Sequence, residues 1–335
     1  MKVAVLGGGA WGSVLANLGA QHGHDVALWE VDAVAAAALA RDRTSARSVG
    51  GFRLADGVAV STDLEATVRG ALTERGLIMV VIPVAAVRET LARVARVGDG
   101  RDALVVAACK GLEPESGATM AEVMAAALPG ARVAVLSGPS FAQEIARGLP
   151  AALVAASTDE DATHEIQGCF GGGALRVYTS GDVTGVCVGG ALKNVIAIAV
   201  GCCDGFGLGD NARAALITRG LAEMGRLAER MGGHPLTLAG LAGLGDLVLT
   251  CTGALSRNRQ VGLALARGET LAGVLAQLGH VAEGVGTAKT ASTLAARLQV
   301  DMPITREVNA VLHEGKSPRA VVSDLLARGI GAERA

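Results

Sequence analysis

Two lysines, an aspartate and a serine–arginine–asparagine run stand out for the chemistry they could perform. Lys193 lies in Gly189-Gly190-Ala191-Leu192-Lys193-Asn194-Val195-Ile196, a helix-like segment whose other residues are nearly all apolar or glycine. Burial disfavours an ammonium and a second cation nearby would disfavour it further. Both effects would bring a lysine down from its ordinary pKa of about 10.4 towards the range of a general base. Lys110 follows the apolar run Leu104–Ala107 and is placed for an anion. Ser137-Gly138-Pro139-Ser140-Phe141-Ala142 follows another such run, with Pro139 suited to open a helix and Ser140 to donate a hydroxyl hydrogen bond or cap a turn. Asp246, in Gly243-Leu244-Gly245-Asp246-Leu247, reads either as a helix N-cap or as a functional carboxylate. Ser256-Arg257-Asn258 offers a planar cation and two neutral polar side chains, suited to a phosphate monoester, and the same tripeptide also makes ordinary surface turns.

A second constellation sits at the other end of the chain. Gly7-Gly8-Gly9-Ala10-Trp11-Gly12 is GxGxxG placed directly after the run Val3–Leu6 and at the mouth of a helical segment reaching about His22. Gly7 permits the tight turn, Gly9 lets a pyrophosphate approach the backbone, and Gly12 allows close helix-to-strand packing. The helix start then offers N–H groups and a positive dipole end to the phosphates. Glu30 stands 18 residues after Gly12 and directly follows Val26–Trp29, with Asp32 two residues on. Either carboxylate could accept hydrogen bonds from the adenosine ribose, and Asp32 could equally cap a helix. No arginine lies between residues 26 and 40, which favours NAD over NADP unless Arg41 or Arg43 folds back.

The elements that must position these groups can be read from the whole chain. Its 335 residues suggest two domains. Half the residues are hydrophobic, 19% are charged, the formal net charge is −2 and mean hydropathy is +0.42, which argues against bulk nucleic-acid binding. Aromatic residues make up only 2%, so base-stacking platforms are few and Ala, Val and Leu must fill the core. Six cysteines without a CxxC pair or a histidine at zinc spacing read as reduced thiols of a cytoplasmic protein, with no metal expected. The N-terminus lacks the pattern of a secretory signal. The apolar stretch from Val183 to Cys203 carries Lys193 at its centre, which would cost about 2.5–3.5 kcal/mol in a bilayer, so it reads as a buried helix without membrane insertion.

Short apolar runs at Val3–Leu6, Val26–Trp29, Leu77–Ile82, Leu104–Ala107, Val133–Leu136, Leu153–Ala156 and Leu175–Tyr178 alternate with helical segments. That rhythm predicts βαβ units: an α/β protein with an N-terminal Rossmann-type, doubly wound, mostly parallel sheet. Beyond Ser180-Gly181-Asp182 strand signals nearly vanish. Ile217, Leu221, Met224, Ala228 and Met231 form an apolar helical stripe ending at Gly232-Gly233, the start of a C-terminal all-α region. The expected division is residues 1–181 for the dinucleotide and 182–330 for the substrate and catalysis.

The ordered set GGGAWG, CKG, SGPSFA, ALKNV, DGFGLGDNARAALITRGLAEM, AGLGDLVLTCTGALSRNRQVG, VAEGVGTA and DMPITREV followed by HEGKSPRAVV resembles the bacterial NAD(P)-dependent glycerol-3-phosphate dehydrogenases from residue 2 to about 328. The resemblance implies interconversion of dihydroxyacetone phosphate and sn-glycerol 3-phosphate, the backbone for phospholipid synthesis. It implies that Lys193 is the general base at the C2 hydroxyl and also touches substrate. Lys110 would contact both substrate and cofactor. Gly138, Ser140, Asp246, Ser256, Arg257 and Asn258 would hold the substrate. Trp11, Ala142, Arg257, Val281 and Glu283 would join Gly7, Gly9, Gly12 and Glu30 around NAD or NADP. Relatives are commonly dimers, which implies a homodimer.

The chain departs from the family pattern in Ser48–Ala55 (SVGGFRLA), which lacks the usual Asn, Tyr and Leu-Pro. It departs again at Val84, where relatives often carry Ser, and at Gly286, where a larger residue is common. A hydroxy-acid or 6-phosphogluconate dehydrogenase would share the nucleotide end and a helical lysine but would prefer an oxo acid. A nucleotide-sensing protein would have no reason to keep Lys193, Lys110, Asp246 and Arg257 together.

Overall fold

Strands β1 (Lys2–Leu6), β2 (Asp25–Trp29), β3 (Ala59–Ser61), β4 (Leu77–Val80), β5 (Leu104–Ala107), β6 (Arg132–Ser137), β7 (Ala151–Ala156) and β8 (Leu175–Ser180) form one eight-stranded sheet of order β3-β2-β1-β4-β5-β6-β7-β8. The structure is a computed structural model that describes residues 1–44, 50–73, 75–101, 103–278 and 282–327. Every pair in the sheet is parallel except β6 with β7. All four residues of β4 and of β5 are buried, as strands covered on both faces require. The sequence runs mark seven of these strands and miss β3, whose three residues are exposed or half-buried and carry no apolar run to announce them.

The order reverses at β1. The chain leaves one side of it for β2 and β3, and the other side carries β4, β5 and β6, which makes the carboxyl ends of β1 and β4 a topological switch point. Helix Ala10–Gln21 starts there. Asp32 caps the next helix, Ala33–Asp42, accepting from the Val34 and Ala35 amides at 2.9 and 3.1 Å, so its capping role is realised. The core of this unit is aliphatic, built from residues such as Val3, Leu15, Leu28, Met79, Val106 and Leu136, with Phe170 its one fully buried large aromatic among the described residues.

Two compact units divide the chain: Met1–Lys110 with Met120–Val183, and Gly111–Thr119 with the chain from Thr184 onward. The second is helical. Its centre is the lysine helix, Val183–Gly205, apolar and long enough to cross a membrane but with 89% of its most apolar window buried inside the protein. A helix buried on every side is a core helix. Leu192, Val195, Ile196 and Val200 are fully covered, each contributing about 1.5–3 kcal/mol through burial. Helix Gly209–Arg230 packs Met224 and Ala228 into the same core, with Ile217, Leu221 and Met231 partly buried against it, matching the predicted stripe, and adds Leu227, which the stripe left out.

Where the lysine helix crosses helix Arg257–Ala266 the two backbones nearly touch. A methyl group added at Gly201 would lie 2.2 Å from the Arg259 carbonyl, and one at Gly262 would lie 2.0 Å from that of Ile198. The glycines therefore set the depth at which the Ser256–Asn258 turn sits against the lysine helix. Segment Gly111–Thr119 joins this unit through buried Leu112, and Arg297 donates to the Ser116 carbonyl at 3.2 Å.

Candidate active site

In the sheet unit the glycine turn is shaped by close contacts. Gly7 has φ +119°, and a Cβ there would meet the Val81 carbonyl at 2.7 Å. A Cβ on Gly12 would fall 1.8 Å from the Gly7 oxygen, while one on Gly9 would meet nothing within 4 Å. The loop is thus packed beneath and open at Gly9, the face a pyrophosphate needs. Helix Ala10–Gln21 has no side-chain cap and no acidic residue in its first turn. Its first backbone bond runs from Ser13 N–H to the Gly9 oxygen at 2.9 Å, so the amides of Ala10, Trp11 and Gly12 precede the ladder. The Trp11 indole N–H is buried and has no hydrogen-bond partner in the protein. Uncapped amides, an open Gly9 and an orphaned indole donor fit a dinucleotide.

Glu30 lies beneath the loop, only 3% exposed. It accepts the Gly8 amide at 3.1 Å and the Asp32 amide at 2.9 Å. Arg41 pairs with Asp42, and Arg43 donates to the carbonyls of Ala55 and Val58.

Lys110 and the Gly138–Ser140 turn meet because β5 and β6 are parallel neighbours with Ala107 opposite Val135. Lys110 and Gly138 each lie three residues beyond that pair, on the same sheet edge. Lys110 Nζ donates to the Gly138 carbonyl at 2.8 Å and lies 3.1 Å from Ser140 Oγ, which itself donates to Gly138 O at 3.0 Å. Gly138 has φ +123°. Ser140 therefore serves the lysine instead of capping a helix. Ala142 opens the short helix Ala142–Ala146 and is half-buried against the sheet core.

In the helical unit Lys193 is 7% exposed and its ammonium is ion-paired with Asp246, which is 1% exposed. The neighbour that touches this ammonium is an anion, where the sequence suggested a second cation. The carboxylate favours the charged lysine and opposes the effect of burial. Asp246 is delivered by a π-helical turn, Leu241–Gly245, directly before helix Asp246–Thr252. Such turns recur at functional sites because they re-aim the following residue. Asp246 is thus not an N-cap. The Thr250 hydroxyl donates to its carbonyl at 2.6 Å.

Ser256 caps helix Arg257–Ala266, accepting from the Arg259 amide at 3.2 Å. Asn258 donates to Asn194 Oδ1 at 2.9 Å and accepts the Gly284 amide at 3.0 Å, tying the helix start to the residue beside Lys193. Arg257, at the first position of the helix, reaches solvent. The protein packed around it holds its guanidinium below the usual arginine value, with Glu283 pulling the other way. Glu283 begins helix Glu283–Leu298, and Val281 lies outside the described residues.

Sequence reasoning missed three side chains that hold this cluster. Asn194 adjoins Lys193 and Thr250 stands four residues after Asp246, a helical spacing that was available as a signal. Asp204 is the third: it accepts Arg259 Nε at 2.8 Å and Arg213 Nε at 2.7 Å. Nothing local marks that pairing.

A doubly wound sheet with an open glycine loop, followed by helices that bury a lysine–aspartate pair beside a cationic turn, defines a nicotinamide-nucleotide-dependent oxidoreductase. Residues 2–163 match the family described as NAD-dependent glycerol-3-phosphate dehydrogenase N-terminus, and residues 182–323 match its C-terminus. The chain is 51% identical to a glycerol-3-phosphate dehydrogenase [NAD(P)+] of Methylibium petroleiphilum, over 99% of this chain and 98% of that protein. It is 48% identical to the Geobacter metallireducens protein of the same name, over 99% of each. The crystal structure of glycerol-3-phosphate dehydrogenase from Coxiella burnetii is similar with a TM-score of 0.93, 38% identity and coverage of 98% of this chain and 99% of that one. The chain belongs to the NAD-dependent glycerol-3-phosphate dehydrogenase family.

Proposed function

We propose that residues 1–181 hold NAD or NADP and residues 182–330 hold substrate and carry the proton transfer. The protein interconverts sn-glycerol 3-phosphate and dihydroxyacetone phosphate. When bound, the nicotinamide supplies or accepts the hydride at C2. Gly7, Gly9 and Gly12 receive its pyrophosphate, and Trp11, Ala142, Val281 and Glu283 are further contacts taken from the family pattern.

The observation that carries the reading is the buried Lys193–Asp246 pair, in the unit whose Ser256–Asn258 turn is tied to the residue beside Lys193. In the reducing direction the Lys193 ammonium gives a proton to the C2 oxygen as the hydride reaches the C2 carbon. In the oxidising direction the neutral amine removes the C2 hydroxyl proton. Asp246 holds the amine in place and stabilises its charged form. Arg257, Ser256 and Asn258 bind the phosphate and glycerol oxygens. Lys110, supported by Gly138 and Ser140, supplies a second cation. Fixed charges orient a small dianion in a way that glycerol itself could not use.

NAD is the preferred cofactor, because Arg41 and Arg43 are engaged elsewhere and Glu30 and Asp32 would oppose a 2′-phosphate. Six cysteines with no disulfide among them suit the cytoplasm, and exposed Leu236, Leu244, Val248 and Leu255 suit a homodimer. Cell fractionation and sedimentation velocity test these two points, and a periplasmic or monomeric protein would reject them. The product supplies the backbone of phospholipids.

Initial rates with NADH and NADPH, each with dihydroxyacetone phosphate and with a panel of oxo acids, test the whole reading. Turnover of dihydroxyacetone phosphate with NADH as the faster cofactor is expected. Preference for an oxo acid would reject the substrate, and equal or faster rates with NADPH would reject the cofactor preference.

A further inference from the structure

Gly8 occupies a position that the GxGxxG pattern leaves variable, yet a side chain there would press on Glu30 and Leu39. An added Cβ would lie 2.9 Å from Glu30 Oε2, 3.0 Å from Glu30 Cβ and 3.0 Å from Leu39 Cδ1. Both polar groups of Gly8 are held by buried side chains. Its amide donates to Glu30 Oε2 at 3.1 Å, and its carbonyl accepts from Ser13 Oγ at 3.2 Å. The other Glu30 oxygen accepts the Asp32 amide, the residue that caps the next helix.

We propose that Glu30 is a positioning residue of the nucleotide loop and not a ribose ligand. The inference rests on the reading that this loop receives a dinucleotide. A buried carboxylate that accepts two backbone amides fixes the loop against the end of β2, and so fixes Gly9 and the amides that follow it. Its oxygens are turned inward to those amides, and the side chain is almost wholly covered. Gly8 and Glu30 therefore form one unit: the carboxylate occupies the space a side chain at residue 8 would need.

The test measures NADH affinity by energy transfer from tryptophan, on the full-length protein. Glu30→Ala is expected to weaken NADH about tenfold, the effect of losing hydrogen bonds to a charged group, with KM for dihydroxyacetone phosphate unchanged. Glu30→Gln keeps the size and one of the two acceptors, while its amide NH2 meets the other backbone N–H, so it is expected to restore only part of that loss. The two readings part on an analogue of NADH lacking the adenosine 2′-hydroxyl. A positioning residue weakens NADH and the analogue by the same factor, whereas a ribose ligand weakens NADH alone, which would overturn the proposal. Gly8→Ala is expected to cost tenfold or more in the parent and much less in a Glu30→Gly background. Full multiplication of the two effects would also overturn it. A parent protein that binds neither NADH nor NADPH would instead reject the reading of the loop itself.

Discussion

The glycine loop of the sheet unit and the lysine cluster of the helical unit handle charge by different means. At the loop the groups on offer are backbone amides of Ala10, Trp11 and Gly12, reached because Gly9 has no side chain and the helix has no cap. In the helical unit the charges are carried by side chains, Lys193 and Asp246, held by a π turn and by hydrogen bonds from Thr250. A backbone site is damaged by adding an atom, and a side-chain site by removing one. The comparison makes opposite kinds of substitution the informative ones.

The largest effect is expected from Lys193→Met. General acid–base catalysis contributes about 10²–10⁴-fold, so kcat for dihydroxyacetone phosphate reduction should fall into that range while NADH affinity stays at the parent's value. Because the variant leaves Asp246 buried without its ammonium, a urea titration should show lost stability as well. Parent-level turnover with intact folding would remove lysine from the mechanism.

Next in size is Arg257→Met, which removes the guanidinium at the first position of helix Arg257–Ala266. Loss of the proposed phosphate contact should raise KM for the substrate by about a hundredfold to a thousandfold, with a smaller change in kcat. An unchanged KM would mean that this turn does not hold the phosphate.

The same contrast explains what could be read from the chain beforehand. A loop built from glycine writes itself into spacing, because Gly7 and Gly12 are demanded by contacts within a few residues and by the neighbouring strand. Buried runs such as Leu77–Val80 likewise announce a parallel sheet. The helical cluster is assembled from residues far apart in the chain, 53 positions between Lys193 and Asp246, 64 between Asn194 and Asn258 and 26 between Asn258 and Gly284, and no local pattern pairs them. Resemblance to a family supplied what spacing could not. Neither source marked the π turn, β3, or the short excursion Gly111–Thr119 that belongs to the helical unit. Glu30 was legible as an acidic residue at the right distance, but the direction of its carboxylate depends on Gly8.

Gly12→Ala tests the backbone side of the comparison. Its Cβ would fall 1.8 Å from the Gly7 carbonyl, so the loop must move. Overpacking of this kind costs about 1–3 kcal/mol, and NADH affinity should drop by up to about a hundredfold. Isothermal titration should find the residual binding of dihydroxyacetone phosphate less affected. Undiminished NADH affinity would mean that the loop is not where the dinucleotide rests.

Glu223 gives the smallest effect and the sharpest sign. It lies in the helical unit, 1% exposed, and accepts the Ile304 amide at 2.6 Å and the Thr305 amide and hydroxyl at 3.1 Å each, capping helix Pro303–His313 from a neighbouring helix. Burial pushes its carboxyl up to about 7 from 4.5, against the pull of those donors and of Arg226. The folded state therefore keeps a proton that the unfolded chain gives up above pH 4.5. This group's contribution is complete at low pH, declines as pH rises towards about 7, and is level beyond that. Asp159 works in the opposite sense, since Arg132 holds it below the ordinary carboxylate range, so the wild-type curve alone mixes both signs. Glu223→Gln isolates the term. Its unfolding free energy from urea titration, relative to wild type, should improve between pH 5 and pH 8 by about 2 kcal/mol. A difference that is flat with pH would show that this carboxylate is ionised throughout, and that the helical unit tolerates a second buried charge without the close counter-ion that Lys193 has in Asp246.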